Sequence, residues 1–390
     1  MPTIRRAAAL AGTAALVLVL AACSTPSPDA GSGSGSEGST EPVRFGVALP
    51  QTGDQAQYGE YFEQGFELAL AQINEAGGVD GRDVELVYED TQADPAQAPA
   101  VAQKFVDDAS ILAVLGDFGT PATAAASPIY QAAGLTQFAF SASASTVTDP
   151  GDFIFATWVS QEYEAPRLAA FAAEQGSTAA VFYHDTDWGL NTHGFFSEGA
   201  EEAGLEEVYA TGYNPESTDF RPLLLAAQAE NPEVIVLISY AADGALITAQ
   251  ARELGIDVPI VGISSIYNQQ FIELAGDAAE GVQTLSYFTP ENPDEAVQQF
   301  ITDFAAEYDV ETPSDYAIRA YDALNIVATA AASAADEGEL DRQSLRDALV
   351  TGEDFATILY GPITFADNRR IVDADQYALV IEDGAFVLAE

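Results

Sequence analysis

Short apolar runs alternate with helical patterns along most of this chain. Val43–Pro50 is the first apolar run, and the segment after it repeats Phe62, Phe66 and Ile73 on one helical face up to about Ala76. Apolar residues at that spacing predict an amphipathic helix. The same alternation predicts further strands at Val84–Tyr88, Ile111–Leu115, Leu135–Phe140, Phe153–Thr157, Ala179–His184, Glu207–Tyr213, Val234–Tyr240, Pro259–Ser264 and Gly281–Phe288. Strands that alternate with helices are typical of parallel sheets, so the pattern predicts two α/β lobes in series.

The last part of the chain is predicted to be mostly helical. The pattern there indicates, in order, helices at Pro293–Tyr308 and Asp315–Ala335, a short helix near Leu345, a strand-like run at Gly361–Phe365 and a hairpin from Asp375 to Leu388. In the longest of these helices, Asp315 and Asp322 lie near Arg319 at helical spacing. This spacing predicts an ion pair.

The first 42 residues differ in composition from the rest. Two arginines precede the apolar run Ala7–Leu20, which is too short to favour a membrane-spanning helix and predicts a signal peptide over residues 1–22. The sequence LAAC, which ends at Cys23, resembles the lipobox of bacterial lipoproteins and implies a lipidated Cys23; a plain secretory signal is the alternative. Residues 23–42 are rich in Ser, Gly and Pro and are expected to form a disordered tether. We therefore expect an exported protein, lipid-anchored to the outer face of the bacterial cytoplasmic membrane.

The composition argues against several classes of function. With 61 acidic and 13 basic residues the net charge is −48, which leaves no basic patch for nucleic acid. The chain has one cysteine, and its folded part contains no HExxH, Walker A or GxSxG motif, so we expect no enzyme and no cofactor. His184 and His193 flank Asp185 and Asp187, but loop hydrogen bonding is favoured over a metal site.

A candidate ligand site follows two neighbouring strands. Thr120 and Pro121 are typical of a helix start, which would leave the amides of about Ala122 and Thr123 free beside the Thr120 hydroxyl. Free amides at a helix N-terminus bind anions, and such loops gather where parallel strands end. Three serines end the next strand and are expected at the same crevice: Ser141, Ser143 and Ser145. The pattern predicts a cradle for a ligand carboxylate, with ordinary capping and turn roles as the alternative.

Four stretches, in their order and spacing, resemble the type I, branched-chain amino-acid binding family of extracellular solute-binding proteins of ABC importers. They are Phe45–Asp90, 95–129, Asp187–Gly189 and Leu274–Val282. The resemblance covers about Val43 to the C-terminus. It implies two doubly wound parallel-sheet lobes that the chain crosses between three times, with the ligand in the interlobe cleft. The implied lobes are 43–158 plus 289–365 and 159–288 plus 366–390.

The same resemblance implies individual ligand contacts. Tyr58 would cover the ligand, and Thr120 would bind its carboxylate. Ala144 would contact the ammonium group through its backbone, beside a hydroxyl and an amide from Ser145. Trp188, together with Tyr240 or Ala241, would supply the wall from the second lobe. Aromatic pocket walls are favoured here over core packing.

One position departs from the family pattern. The amino-acid binders of the family carry an acid that pairs with the ligand ammonium, and Ser264 occupies that place here. Because an ammonium buried without a counter-charge is costly, either Asp243 or another nearby acid substitutes, or the ligand lacks an α-amino group.

The resemblance also implies the function. We expect a monomeric receptor that captures a small amino acid or amino-acid-like carboxylate or amide by lobe closure and delivers it to an ABC permease in the membrane. A sensory receptor of the same fold, coupled to a membrane signalling protein, is the alternative. An exported enzyme is disfavoured because no activated nucleophile can be assembled from the motifs.

Overall fold

The computed structural model describes residues 41–371 and 374–389. The predicted signal peptide, the lipidated Cys23 and most of the predicted tether therefore lie outside the described residues. No helix within the described ranges is both long enough and apolar enough to cross a membrane.

The first sheet consists of five parallel strands. In chain order they are β1 (Val43–Leu49), β2 (Val84–Asp90), β3 (Ile111–Gly116), β4 (Thr136–Ala139) and β5 (Ile154–Ala156), and the helices between them are α1 (Ala56–Glu75), α2 (Ala98–Asp107) and α3 (Thr120–Ala133). The spatial order is β2-β1-β3-β4-β5. All neighbouring pairs are parallel, as the alternation of strands and helices predicts.

The second sheet has seven strands and repeats the same design. Its strands are β6 (Thr178–His184), β7 (Glu206–Tyr213), β8 (Val234–Ile238), β9 (Ile260–Gly262), β10 (Gln283–Ser286), β11 (Tyr377–Glu382) and β12 (Ala385–Leu388), and its helices are α4 (Gln161–Ala173), α5 (Asp187–Ala203), α6 (Arg221–Ala229), α7 (Ala241–Glu253) and α8 (Gln269–Ala275). The order is β12-β11-β10-β9-β8-β6-β7. The predicted C-terminal hairpin forms its antiparallel edge.

Three more helices pack on the first sheet: α9 (Glu295–Tyr308), α10 (Asp315–Glu337) and α11 (Arg342–Thr351). Helix α10 is buried over most of its length and lies against α1. The two helix backbones approach closely at Gly65, where a Cβ atom would lie 1.9 Å from the carbonyl oxygen of Ala317. Only glycine permits this contact, so Gly65 sets the distance between α1 and α10.

Replacing Gly65 by alanine is expected to lower the free energy of unfolding by about 1–3 kcal/mol, because the added methyl group meets backbone that cannot rotate away. Gly194→Ala in α5 is the matched control, since a Cβ there meets no atom within 4 Å and alanine favours a helix. Urea denaturation of both variants is the measurement. Equal stability of the Gly65→Ala variant and the parent would contradict the close contact.

The chain crosses between the sheets after β5, after β10 and after Ile371. Residues 369–371 run beside β5, where Ala156 forms a parallel bridge with Arg370. The Arg370 guanidinium also donates to the carbonyl oxygens of Ala144 and Trp158 at 2.9 Å each. Residues 366–371 therefore belong with the first sheet. We keep the two-lobe assignment as a proposal and move the end of the first lobe from residue 365 to residue 371.

Three elements differ from the pattern. Helices α4 and α8 have no counterpart among the predicted elements. The predicted strand at Gly361–Phe365 is wrong, because only Ile363 pairs there, in an isolated bridge with Phe355. Pro362 has no N–H to donate to a strand ladder, which explains why the pairing does not extend.

Candidate functional site

A cavity lies between the carboxyl ends of the two sheets. It contains ≈ 390 Å³ of space outside protein atoms, its open mouth included. Both sheets and α10 contribute to its wall, which is lined by Phe118, Gly119, Thr120, Ser141, Ser143, Trp158, Glu164, Trp188, Tyr240, Ile263, Ser264, Ser265, Tyr316 and Arg319. Five of the predicted ligand contacts are thus brought together: Thr120, Ser143, Trp188, Tyr240 and Ser264.

Hydroxyl groups form the side of the cavity that belongs to the first sheet. Helix α3 begins at Thr120, but the Thr120 hydroxyl does not cap it; its oxygen accepts a hydrogen bond from the Ala144 amide at 3.2 Å. The Thr123 amide is not free as predicted, since it donates to Gly119 at 3.4 Å. Ser143, on the loop after β4, is buried in the cavity wall beside Thr120.

Two of the predicted backbone-loop contacts lie outside the cavity wall. The Ser145 hydroxyl donates to Glu162 at 2.6 Å, and Ser145 is absent from the cavity lining. The Ala144 carbonyl accepts from Arg370, so this oxygen already has a strong donor. The roles predicted for Ala144 and Ser145 stay predictions without support from this geometry.

Aromatic rings form the second wall. Trp188 and Tyr240 stack with ring centroids 4.7 Å apart. Tyr240 reaches Phe118 of the other lobe at 5.9 Å, so the aromatic wall spans both lobes. Tyr58 lies one layer behind, stacked on Phe118 at 4.7 Å and buried. Of these two rings, Phe118 lines the cavity and Tyr58 does not.

The acid in the cavity wall is Glu164, in the first turns of α4. It is 4% exposed, and its Oε1 atom has no hydrogen-bond partner within the described part of the chain. Burial raises the pKa of Glu164 to about 7, while Ser264 and the Arg319 guanidinium act to lower it and Asp315 acts to raise it. Glu164 thus lies beside Ser264, the position where the family pattern predicts an acid.

Asp243 is engaged elsewhere. Its carboxylate accepts a hydrogen bond from the Tyr213 hydroxyl at 2.6 Å and lies 3.9 Å from His184. It is absent from the cavity lining and sits in the layer behind Tyr240. The sequence left open whether Asp243 or another nearby acid takes the place of the acid that is missing at Ser264. The geometry favours Glu164, because it lines the cavity and Asp243 does not.

A buried cation completes the wall. Arg319 Nη2 donates to Asp315 at 2.5 Å, which confirms the ion pair predicted from helical spacing. The guanidinium lies 3.2 Å from the ring centroid of Trp158. Asp322 has a different role, since its carboxylate accepts hydrogen bonds from the backbone amides of Ile358 and Leu359. The spacing predicted the pair but not its place in the cleft.

The two histidines are absent from the cavity lining, although the His184 ring packs against Tyr240 at a centroid distance of 5.3 Å. His184 Nδ1 lies 2.9 Å from the Thr186 hydroxyl, and His193 Nε2 lies 2.8 Å from Glu207. Within residues 41–371 and 374–389, no cluster of three or more His, Cys, Asp or Glu side chains has the arrangement of a metal site.

The chain is similar to known proteins over most of its length. The family model for periplasmic binding proteins matches residues 42–385. The leucine-, isoleucine-, valine-, threonine- and alanine-binding protein of Pseudomonas aeruginosa is 30% identical over 316 residues, which cover 80% of this chain and 83% of that protein. The branched-chain amino acid transporter substrate binding protein of Streptococcus pneumoniae, in complex with isoleucine, superimposes with a TM-score of 0.82 at 25% identity, covering 89% of this chain and 98% of its own. An ABC transporter substrate-binding protein of Desulfitobacterium hafniense in complex with Leu has a TM-score of 0.74 at 29% identity, covering 90% and 100%.

Proposed function

The chain belongs to the periplasmic binding protein family, and on that premise we propose that it is the substrate-binding receptor of an ABC importer. Its resemblance to the type I, branched-chain group and its two-lobed α/β fold are confirmed by the comparisons. Its ligand, in this proposal, is a small amino acid or an amino-acid-like carboxylate or amide. The proposal extends to export, a lipid anchor at Cys23, a monomeric state and a membrane permease as partner.

One observation carries the choice of ligand: the cavity has complementary polar groups on facing lobes. The hydroxyls of Thr120 and Ser143, with the N-terminus of α3, suit a carboxylate. Glu164 on the second lobe offers a buried oxygen without a partner, which suits an ammonium group. An α-amino acid presents both groups a few bonds apart. The stacked rings of Trp188 and Tyr240 would cover the body of the ligand.

Lobe closure is supported by the fact that the two lobes each contribute residues to the cavity wall. Neither lobe holds the complementary groups alone, so a ligand that contacts both is bound most tightly when the lobes are together. Closure also forms direct contacts, since Gln270 Nε2 of α8 donates to Gln57 Oε1 of α1 at 2.6 Å. Three short crossings are the segments about which such a hinge would turn.

A thermal-shift panel tests the proposal. It pairs small amino acids with their des-amino carboxylates, and a ligand at a hundred times its Kd stabilises the fold by about 2.7 kcal/mol. Melting shifts with the amino acids alone are expected. Shifts with only the des-amino acids would remove the ammonium role from Glu164, and no shift across the panel would overturn the proposed ligand class.

Loss of amino-acid uptake on deletion of the gene would separate an importer receptor from a sensory one.

Binding is expected to weaken as the pH falls. The pKa of Glu164 is raised to about 7, and an ammonium partner needs the ionised carboxylate, so protonation competes with the ligand. Between pH 8 and pH 6 we expect the Kd to rise by about tenfold, with Arg319 charged and Asp315 paired throughout. Calorimetric titration at both pH values is the measurement, and an unchanged Kd would contradict a Glu164–ammonium contact.

A further inference from the structure

The cavity is poorly suited to a branched aliphatic side chain. Among the described residues that line it, Ile263 is the one aliphatic side chain; the rest are aromatic, hydroxyl-bearing or charged, apart from Gly119. Two of them are a carboxylic acid, Glu164, and a guanidinium, Arg319, which are 4% and 5% exposed. An aliphatic group pressed against these side chains would displace water from them without offering a hydrogen bond, which is unfavourable.

Arg319 has unused donor capacity. Its Nη2 is bound to Asp315 and its Nη1 lies 3.4 Å from the Ser141 hydroxyl, at the outer limit of a hydrogen bond. Its Nε has no partner within the described residues. A guanidinium has five N–H donors in a fixed plane, so an acceptor atom of a ligand beside Ser141 would find donors already directed.

The guanidinium is also held in place. It lies 3.2 Å from the ring centroid of Trp158 and 4.3 Å from that of Tyr316, and Asp315 fixes its far end. A donor that is positioned before binding loses little conformational freedom on binding, so it discriminates between ligands with and without an acceptor.

We propose that this site selects amino acids with an uncharged polar side chain over their branched aliphatic isosteres, and that Arg319 determines this specificity. The inference rests on the proposed function, because it takes the α-carboxylate and the ammonium group of the ligand to be bound as described above. Arg319 then provides the third point of recognition, for a side-chain amide or hydroxyl oxygen.

The charges nearby argue for an uncharged side chain. Asp315 already neutralises Arg319, and Glu164 adds a further negative group, so a side-chain carboxylate would be a third acid in one cleft. A side-chain ammonium would instead meet the Arg319 guanidinium at close range. A neutral oxygen acceptor avoids both repulsions.

Two pairs of nearly isosteric ligands test the proposal by calorimetry on the purified chain: asparagine with leucine, and threonine with valine. We expect asparagine to bind at least about tenfold more tightly than leucine, and threonine at least about tenfold more tightly than valine. Equal or tighter binding of leucine and valine would overturn this inference and leave the proposed function intact. Failure of all four ligands to bind would instead count against the proposed function.

The role of Arg319 is tested by the double variant D315N/R319M, which removes the ion pair without leaving a lone charge. In this variant we expect the preference to disappear, so that the Kd for leucine divided by the Kd for asparagine falls to about one. E89Q/K104M is the matched control, because Lys104 and Glu89 pair with each other outside the cavity lining and are 59% and 30% exposed. A preference retained in D315N/R319M would overturn the assignment of Arg319. The ratios of dissociation constants measured on the parent chain test the specificity even if the variant fails to fold.

Discussion

Glu164→Gln is expected to weaken amino-acid binding by about 100-fold, the largest effect on affinity that we predict for a single substitution. Truncating one partner of a buried charge pair costs about 2–5 kcal/mol, because the remaining charge is left without its counter-charge. Glutamine keeps the size of the side chain and removes only its charge. Calorimetric titration at pH 8, where the carboxylate of the parent is ionised, is the measurement.

The stability of the same variant should change in the opposite direction. The pKa of Glu164 in the fold, about 7, exceeds its ordinary value of 4.5, so an ionised Glu164 destabilises the protein at pH 8. Glu164→Gln is therefore expected to raise the free energy of unfolding by about 3 kcal/mol at pH 8. Below pH 4.5 the side chain is neutral in both states and the gain should vanish. Tighter binding together with lower stability would contradict the role assigned to Glu164.

Arg319→Met is expected to lower the free energy of unfolding by about 3–5 kcal/mol. Breaking a buried ion pair from one side leaves Asp315, which is 3% exposed, without its counter-charge. Methionine fills much of the same space and keeps the apolar contact with Trp158, so the loss reports the charge rather than a cavity. Denaturant unfolding followed by circular dichroism is the measurement.

The double variant D315N/R319M provides the control for that prediction. Removing both charges is expected to restore most of the stability, because a buried pair replaced by neutral groups is often close to neutral overall. A double-mutant cycle then isolates the interaction between Asp315 and Arg319. If the double variant is as unstable as Arg319→Met, shape rather than charge accounts for the loss.

The strands and one wall of the site could be predicted because their signals are local. Apolar runs bounded by Gly, Ser and Thr identify parallel strands, and the ligand site of such a sheet lies where those runs end. Thr120 and Ser143 lie in the segments that follow two predicted strands, and both line the cavity. Trp188 follows β6 in the same way. Tyr240 lies two residues beyond the end of β8, at Ile238, although the pattern extended that strand to it.

The charged part of the site could not be predicted, because its signals are not local. Helix α4 buries a face of small residues and contains Pro166, which obscures its helical pattern, and Glu164 is one of 61 acidic residues. A serine at its N-cap, Ser160, was the available signal for the helix. Arg319 meets Ser141 across a separation of 178 residues, a contact that no spacing along the chain reveals.

The topology of the second sheet constrains the order in which the protein can fold during its synthesis. Strand β10 has β9 on one side and β11 on the other, and β11 belongs to the final hairpin of the chain. Strand β10 therefore lacks its neighbour on the edge side of the sheet until β11 has been made, whereas domains generally fold as units. A chain still held by the ribosome would therefore carry an incomplete second lobe until strands β11 and β12 have been made.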